Sequence, residues 1–288
     1  MRRTDDVQAG EMIVEDAKDL FRTRDHVPDF DGYLKEYAGR SALARHNHRA
    51  VLDLEYGPEP DEKLDLFLPP PAAAPVPVHL FIHGGYWRMF SKDDFSFIAD
   101  TVVAAGAIAA VMDYSLMPAV RMEKIVAQVR RAADWLAANI PRFGGDPNQL
   151  SVSGHSAGAH LCCTLLEADI PVAPKSALLL SGIYDLKPLR SSFLQPMIGL
   201  TEDEVTKFSP LSRNYRAGGD VLLLVGEQET LPFHSQADAM QSRLAAQQVP
   251  TRRIDIPDSN HMSIALDLGV GSTAVSQLLT AAIKSTGG

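Results

Sequence analysis

From Arg49 onward the chain alternates short β-rich runs with amphipathic stretches of helical period, and this alternation limits it to a mostly parallel sheet covered by helices. The runs AVLDLEYG (50–57), KLDLFLP (63–69), VPVHLFI (76–82), AIAAVMDYS (107–115), QLSVSGH (149–155), SALLLSG (176–182), DVLLLVGE (220–227) and TRRIDIP (251–257) read as eight strands. Apolar spacing near 3.6 predicts helices over 91–106, 120–140, 157–168, 231–248 and 263–285. Ser91 with Asp94 three residues later resembles a capping arrangement at the start of the first of these. A short acidic loop joins the first two strands, which should form an antiparallel hairpin. The later strands are joined through helices and should run parallel, so the expected α/β sheet is mixed. Two stretches stand outside the alternation: the charged segment 1–48, expected to be helical, and 186–214, a long insertion of the kind that covers active sites. Together they are expected to form a small lid on a domain spanning 49–288.

At 288 residues and 45% hydrophobic content the chain has material for one large core. The formal net charge is −9 and the basic residues are scattered, which argues against a nucleic-acid surface. It argues equally against an anionic membrane surface. The N-terminus is charged throughout with no apolar leader, and no later run is long and apolar enough to span a bilayer. Cys162 and Cys163 are sequence neighbours in an apolar helical pattern, where buried thiols are the ordinary outcome. A cytoplasmic protein is expected.

GHSAG (154–158) carries the chemistry. It follows the apolar run LSVS and precedes the helix-forming AHLCCTLL. A Gly-x-Ser-x-Gly turn between a strand and a helix exposes its serine, here Ser156, on a strained elbow whose small flanking residues let neighbouring backbone pass. A serine hydroxyl is a weak nucleophile at neutral pH. It needs a base, and the base needs an orienting acid.

His261, after the last strand and before the last helix, is the expected base, because imidazole can accept and return a proton near neutral pH. His160, His234, His46 and His48 are expected to be structural or solvated. His155, beside the serine, is expected to border the substrate pocket. No histidine group has the spacing of a metal site, and no cofactor is called for. The acid is expected to be Glu229, on the loop that leaves the strand at Gly226. Glu227 should face solvent, Asp258 is the main rival, and Asp185 is expected to anchor the lid. The order serine, acid, histidine is that of α/β-hydrolases.

HGGYW (83–87) ends the third strand. In such a sheet that loop supplies backbone N–H groups to an oxyanion hole, and glycines leave the amides unobstructed. The amide of Ala157, with amides among Gly84, Gly85 and Tyr86, is expected to form the hole. His83 should tie the loop down. Tyr86 and Trp87 are expected to border the acyl or leaving-group pocket, the alternative for Trp87 being a place in the core.

With these residues in view, HGGYW, YG…KLDLFLP, FGGDPNQLSVSGHSAGAHL (143–161), GEQE and NHMSI together resemble the α/β-hydrolase superfamily, within it the esterase branch that includes the arylformamidases, or kynurenine formamidases. The likeness runs from about Tyr56 to His261. It implies hydrolysis of a formamide or of small aryl and short-chain esters. In that family the acid is usually aspartate; the matching position here is Glu229. The expected partner is a small ester or formamide substrate, with no nucleic acid or membrane, and a homodimer is compatible with the sequence. Two other readings use the same fold: a non-catalytic binding protein, and a peptidase or amidase for small substrates.

Overall fold

The strand that carries the elbow lies at the centre of an eight-stranded sheet with spatial order β1-β2-β4-β3-β5-β6-β7-β8. In the computed structural model, which describes residues 19–216 and 219–287, these strands are β1 (Arg49–Glu55), β2 (Lys63–Leu68), β3 (Val76–Ile82), β4 (Ile108–Met112), β5 (Gly145–His155), β6 (Ser176–Leu180), β7 (Asp220–Gly226) and β8 (Thr251–Ile256). β2 runs antiparallel to both β1 and β4, and every other neighbouring pair is parallel. The expected mixed, mostly parallel sheet is therefore present. Its inner strands are apolar on both faces because helices cover both sides. Leu80 and Ile82 of β3 enter one core, and Phe81 between them enters the other.

The covering helices are α1 (Phe30–Asn47), α2 (Ala99–Ala104), α3 (Met122–Asn139), α4 (Ala157–Cys163), α5 (Gln195–Ile198), α6 (Glu202–Phe208), α7 (Leu231–Ala246), α8 (Ser263–Leu266) and α9 (Ala274–Lys284). α3 buries Met122, Ile125, Val129, Ala133 and Leu136, the three- and four-residue spacing of one helix face. α9 buries Val275, Leu279 and Ile283 against the opposite face of the sheet.

Three helix boundaries differ from expectation. The stretch 91–106 opens with two one-turn helices, Lys92–Asp94 and Ser96–Ile98, before α2; Ser91 and Asp94 do form a capping box on the first. α4 stops at Cys163, short of residue 168. The C-terminal stretch is two helices, because Gly269 passes against the backbone of Phe97, where a β-carbon would lie 2.7 Å from the Phe97 carbonyl oxygen, and Thr273 then caps α9 afresh. Of the charged segment expected to be helical, residues 1–18 lie outside the described residues, and α1 accounts for most of the rest. No single helix among the described residues is long and apolar enough to cross a membrane.

Candidate active site

The elbow geometry follows from its glycines. Ser156 sits at φ 55° and ψ −117°, between the end of β5 and the first residue of α4. A side chain is strained in this conformation, and such strain persists only where the surroundings enforce it. Here the Ser156 amide donates to the Leu180 carbonyl of β6 at 2.8 Å, and its carbonyl accepts from the His160 amide at 3.2 Å. A β-carbon on Gly158 would stand 2.0 Å from the Ile82 carbonyl oxygen, and one on Gly154 would stand 2.5 Å from Gly158 backbone. The strand-to-helix crossing is thus too close for any side chain at either position.

Glu229 and His261 come together from two loops at the same sheet edge. His261 Nδ1 is 2.6 Å from Glu229 Oε2, with both side chains buried. The second carboxylate oxygen accepts from Ser181 Oγ at 2.5 Å and from the Gly226 amide at 2.8 Å. The imidazole is packed between the rings of His155 and Phe233, with centroids 4.6 and 4.5 Å away. Its loop is shaped by Asn260, whose Oδ1 accepts from the Met262 and Ser263 amides, and by Tyr37 of α1, whose hydroxyl donates to the Met262 carbonyl at 2.7 Å. Glu227 is exposed, as expected. The rival Asp258 is an exposed turn residue at φ 56° whose amide donates to Glu227. Asp185 accepts from the Lys187 amide within its own turn.

His261 and Ser156 line one cavity of about 180 Å³, together with His155, Gly85 and Tyr86. Among the described residues no hydrogen bond joins the Ser156 hydroxyl to the imidazole, and catalytic pairs commonly tighten only when substrate is bound. The HGGYW loop runs alongside: a β-carbon on Gly84 would lie 3.3 Å from the Ser156 β-carbon and 2.7 Å from the His155 carbonyl oxygen. Gly85 has φ 98°, and Tyr86 and Trp87 follow at φ 52° and 59°, a tight left-handed turn in which the Arg88 and Met89 amides both donate to the Gly85 carbonyl at 3.0 Å. As the first residue of α4, Ala157 has an N–H without an intrahelical partner. His83 does tie the loop, donating from Nδ1 to the Gly84 carbonyl at 2.8 Å, and its burial holds its pKa down to about 4.

Trp87 departs from expectation. It is fully buried, does not line the cavity, and donates from Nε1 to His160 Nδ1 at 3.2 Å. The left-handed turn at Trp87 swings its indole beneath the loop, into the core that holds α4. Tyr86 does line the cavity, and much of the rest of its wall comes from the two stretches that stand outside the strand–helix alternation. Phe193, Leu194 and Met197 of the 186–214 insertion and Arg22, Thr23, Arg24 and Phe30 of the N-terminal stretch line the cavity. They are clasped to the site by hydrogen bonds: Tyr86 hydroxyl to the Phe21 carbonyl, Thr230 hydroxyl to the Leu20 carbonyl, and the Phe193 amide to Asp19. Ser181 and Asn260, which support the Glu229 carboxylate and the His261 loop, add two positions beyond those expected from the sequence. The sequence signal at Ser181 is a polar residue directly after an apolar strand run, and at Asn260 its place at the head of NHMSI. Among the described residues no group of three or more histidine, cysteine, aspartate or glutamate side chains could hold a metal ion.

Comparison with known proteins agrees with this architecture. The family model BD-FAE matches residues 64–168. A kynurenine formamidase from Danio rerio is 33% identical over 231 residues, covering 77% of this chain and 78% of the relative. One from Salmo salar is 30% identical over 247 residues, covering 82% and 83%. A crystal structure of a Silicibacter sp. protein superposes with a TM-score of 0.80 at 26% identity, over 92% of this chain and 97% of the other. An esterase from Pyrobaculum calidifontis shares the fold with a TM-score of 0.73 at 18% identity, over 89% of this chain and 92% of the other. The chain is a hydrolase of the α/β-hydrolase fold and belongs to the kynurenine formamidase family.

Proposed function

We propose that the protein is a serine hydrolase that cleaves small aryl formamides or carboxylic esters through an acyl-enzyme. The observation that carries this reading is the convergence on one cavity of the elbow serine and a histidine whose far nitrogen is held by a buried carboxylate. His261, oriented by Glu229, takes the Ser156 proton as Oγ attacks the substrate carbonyl carbon. The negative charge that develops on the carbonyl oxygen is met by the Ala157 amide and by amides of the Gly84–Tyr86 loop, with the N-terminal end of α4 adding a favourable field. As the tetrahedral adduct collapses, the bond to the leaving nitrogen or oxygen breaks and His261 gives that atom the proton. Water, deprotonated by the same imidazole, then attacks the acyl carbon, and Ser156 leaves with the proton returned to it.

Burial keeps the pKa of His155 well below its ordinary value, with His261 adding to the effect, so His155 stands as a neutral wall residue and leaves His261 as the base. The names of the relatives favour a formamide substrate. The free buried thiols of Cys162 and Cys163 suit a reducing, cytoplasmic setting.

The test is labelling with a fluorophosphonate probe, followed by kcat/KM for N-formylkynurenine and for phenyl acetate. Wild type should label and turn over at least one of the two substrates. Ser156→Ala should do neither, and a Ser156→Ala protein with normal turnover would end the proposal.

A further inference from the structure

The loop that ends β3 meets the end of the neighbouring strand β4 through two buried or half-buried groups that acyl transfer does not consume: His83 of HGGYW and Asp113, the residue after β4. The His83 ring is fully buried, stacks on the Tyr114 ring with centroids 4.2 Å apart, and donates from Nδ1 to the Gly84 carbonyl at 2.8 Å. Tyr114 adds a second tie, its hydroxyl donating to the His83 carbonyl at 2.9 Å. With its proton on Nδ1, the neutral imidazole presents a lone pair at Nε2. That atom is buried without a hydrogen-bond partner among the described residues, and Asp113 Oδ1 stands 3.8 Å from it. Two acceptors therefore face each other unless a proton lies between them.

The surroundings of Asp113 keep that proton in play. Burial raises the Asp113 carboxyl to about 7 against the pull of Lys92, and burial holds the His83 ring down to about 4. Asp113 accepts from the Lys92 amide at 2.6 Å, but the Lys92 ammonium is shared among Asp53, Asp65 and Asp93 at 2.9, 3.0 and 3.0 Å. Asp65 and Asp93 also repel a charge on Asp113, while burial keeps the phenols of Tyr56 and Tyr114 neutral beside it. The protonated pair is a neutral acid facing a neutral ring. Once the acid gives its proton to solvent, the single ring proton is claimed by two acceptors, the Gly84 carbonyl at Nδ1 and the carboxylate at Nε2. The carboxylate is the stronger of the two. The ring then exchanges its Nδ1 proton for one at Nε2, with no change in its own charge, and the tie to Gly84 is lost.

We propose that Asp113 is a positioning residue whose proton keeps His83 in the Nδ1–H tautomer and so holds the HGGYW loop in place beside Ser156. This rests on the hydrolase reading above, in which amides of that loop meet the developing oxyanion. Gly84 is the link, because a β-carbon there would lie 3.3 Å from the Ser156 β-carbon.

The experiment follows kcat and KM against pH for phenyl acetate and N-formylkynurenine, and reads the ring nitrogens of His83 by NMR in protein labelled with nitrogen-15 histidine. In wild type kcat should fall about tenfold on the alkaline side of its maximum, with a smaller change in KM, as the loop loses its hold on the transition state. Asp113→Asn still offers an acceptor to the Lys92 amide and never ionises, so its alkaline fall should vanish while its maximal kcat stays close to that of wild type. An alkaline fall that is absent from wild type, or that persists in Asp113→Asn, overturns the proposal. The spectra decide it without turnover and without a variant: His83 in wild type should pass from Nδ1–H to Nε2–H between about pH 6 and pH 9, and a ring that keeps one tautomer across that range refutes the switch. Failure of wild type to cleave either substrate while the tautomer change is present counts against the hydrolase reading alone.

Discussion

His261 Nδ1 lies 2.6 Å from one oxygen of Glu229, while the other oxygen is held by the Ser181 hydroxyl and the Gly226 amide. The carboxylate is thus held by groups outside the histidine loop, and the imidazole is oriented by a partner anchored independently of that loop. Glu229→Gln should keep the fold but present the wrong hydrogen-bond partner to Nδ1, lowering kcat about 10³- to 10⁴-fold. Asp258→Asn, at the exposed turn, should leave kcat near wild type. Steady-state kinetics on one aryl ester, with circular dichroism to verify folding, checks both. A normal kcat in the Gln variant would remove Glu229 from the site.

The HGGYW loop depends on the backbone of Gly85 at φ 98°, where a β-carbon would stand 2.4 Å from the Met89 carbonyl oxygen. Gly85→Ala must therefore shift the loop. The expected result is a loss of about 1–3 kcal/mol in stability, together with a fall in kcat larger than any change in KM. Thermal denaturation and kinetics on the same preparation measure the two effects.

Trp87 and Phe193 should separate core from pocket. Trp87→Phe gives up the hydrogen bond to His160 and some buried volume, at a cost of about 1–3 kcal/mol, with the preference for aryl over alkyl esters unchanged. Phe193→Ala opens a wall of the cavity and should lower that preference with a smaller loss of stability. A selectivity change in the Trp87 variant alone would reverse the assignment.

Acid should destabilise the fold between about pH 6.5 and pH 4. Burial holds His79 down to about 3 and His83 and His160 down to about 4, and each keeps its neutral ring hydrogen-bonded. A group whose folded pKa is depressed contributes stability above its unfolded pKa, near 6.5 for histidine, and loses that contribution as pH falls toward the folded value. The loss by pH 4 is about 3 kcal/mol for each. Asp113 acts in the opposite sense: burial raises it to about 7, so protonation below that pH favours the folded state. It offsets roughly one histidine. Tm measured by calorimetry should fall across this window, and a Tm that rose on acidification would contradict the balance.

The elbow, the glycine loop and the Glu229–His261 pair were legible in the sequence because each follows from a local requirement. Gly154, Gly158 and Gly85 stand where backbone conformation or approach admits no side chain, and Ser156, Glu229 and His261 sit just beyond strand ends that the apolar runs mark. The helix breaks at 267–273 were less legible, since the apolar period continues through them and only the contact of Gly269 with Phe97 interrupts it.

What the sequence determined alone was the alternation of strands and helices, the resulting sheet, and the candidate groups just beyond its strand ends, all of which depend on residues close together in the chain. The tertiary structure decided the pocket. Trp87 turned inward while Phe193, Arg22 and Arg88 lined the cavity, from positions far apart in sequence. A wall is built from whichever side chains the packing brings together, and no local periodicity or spacing records that.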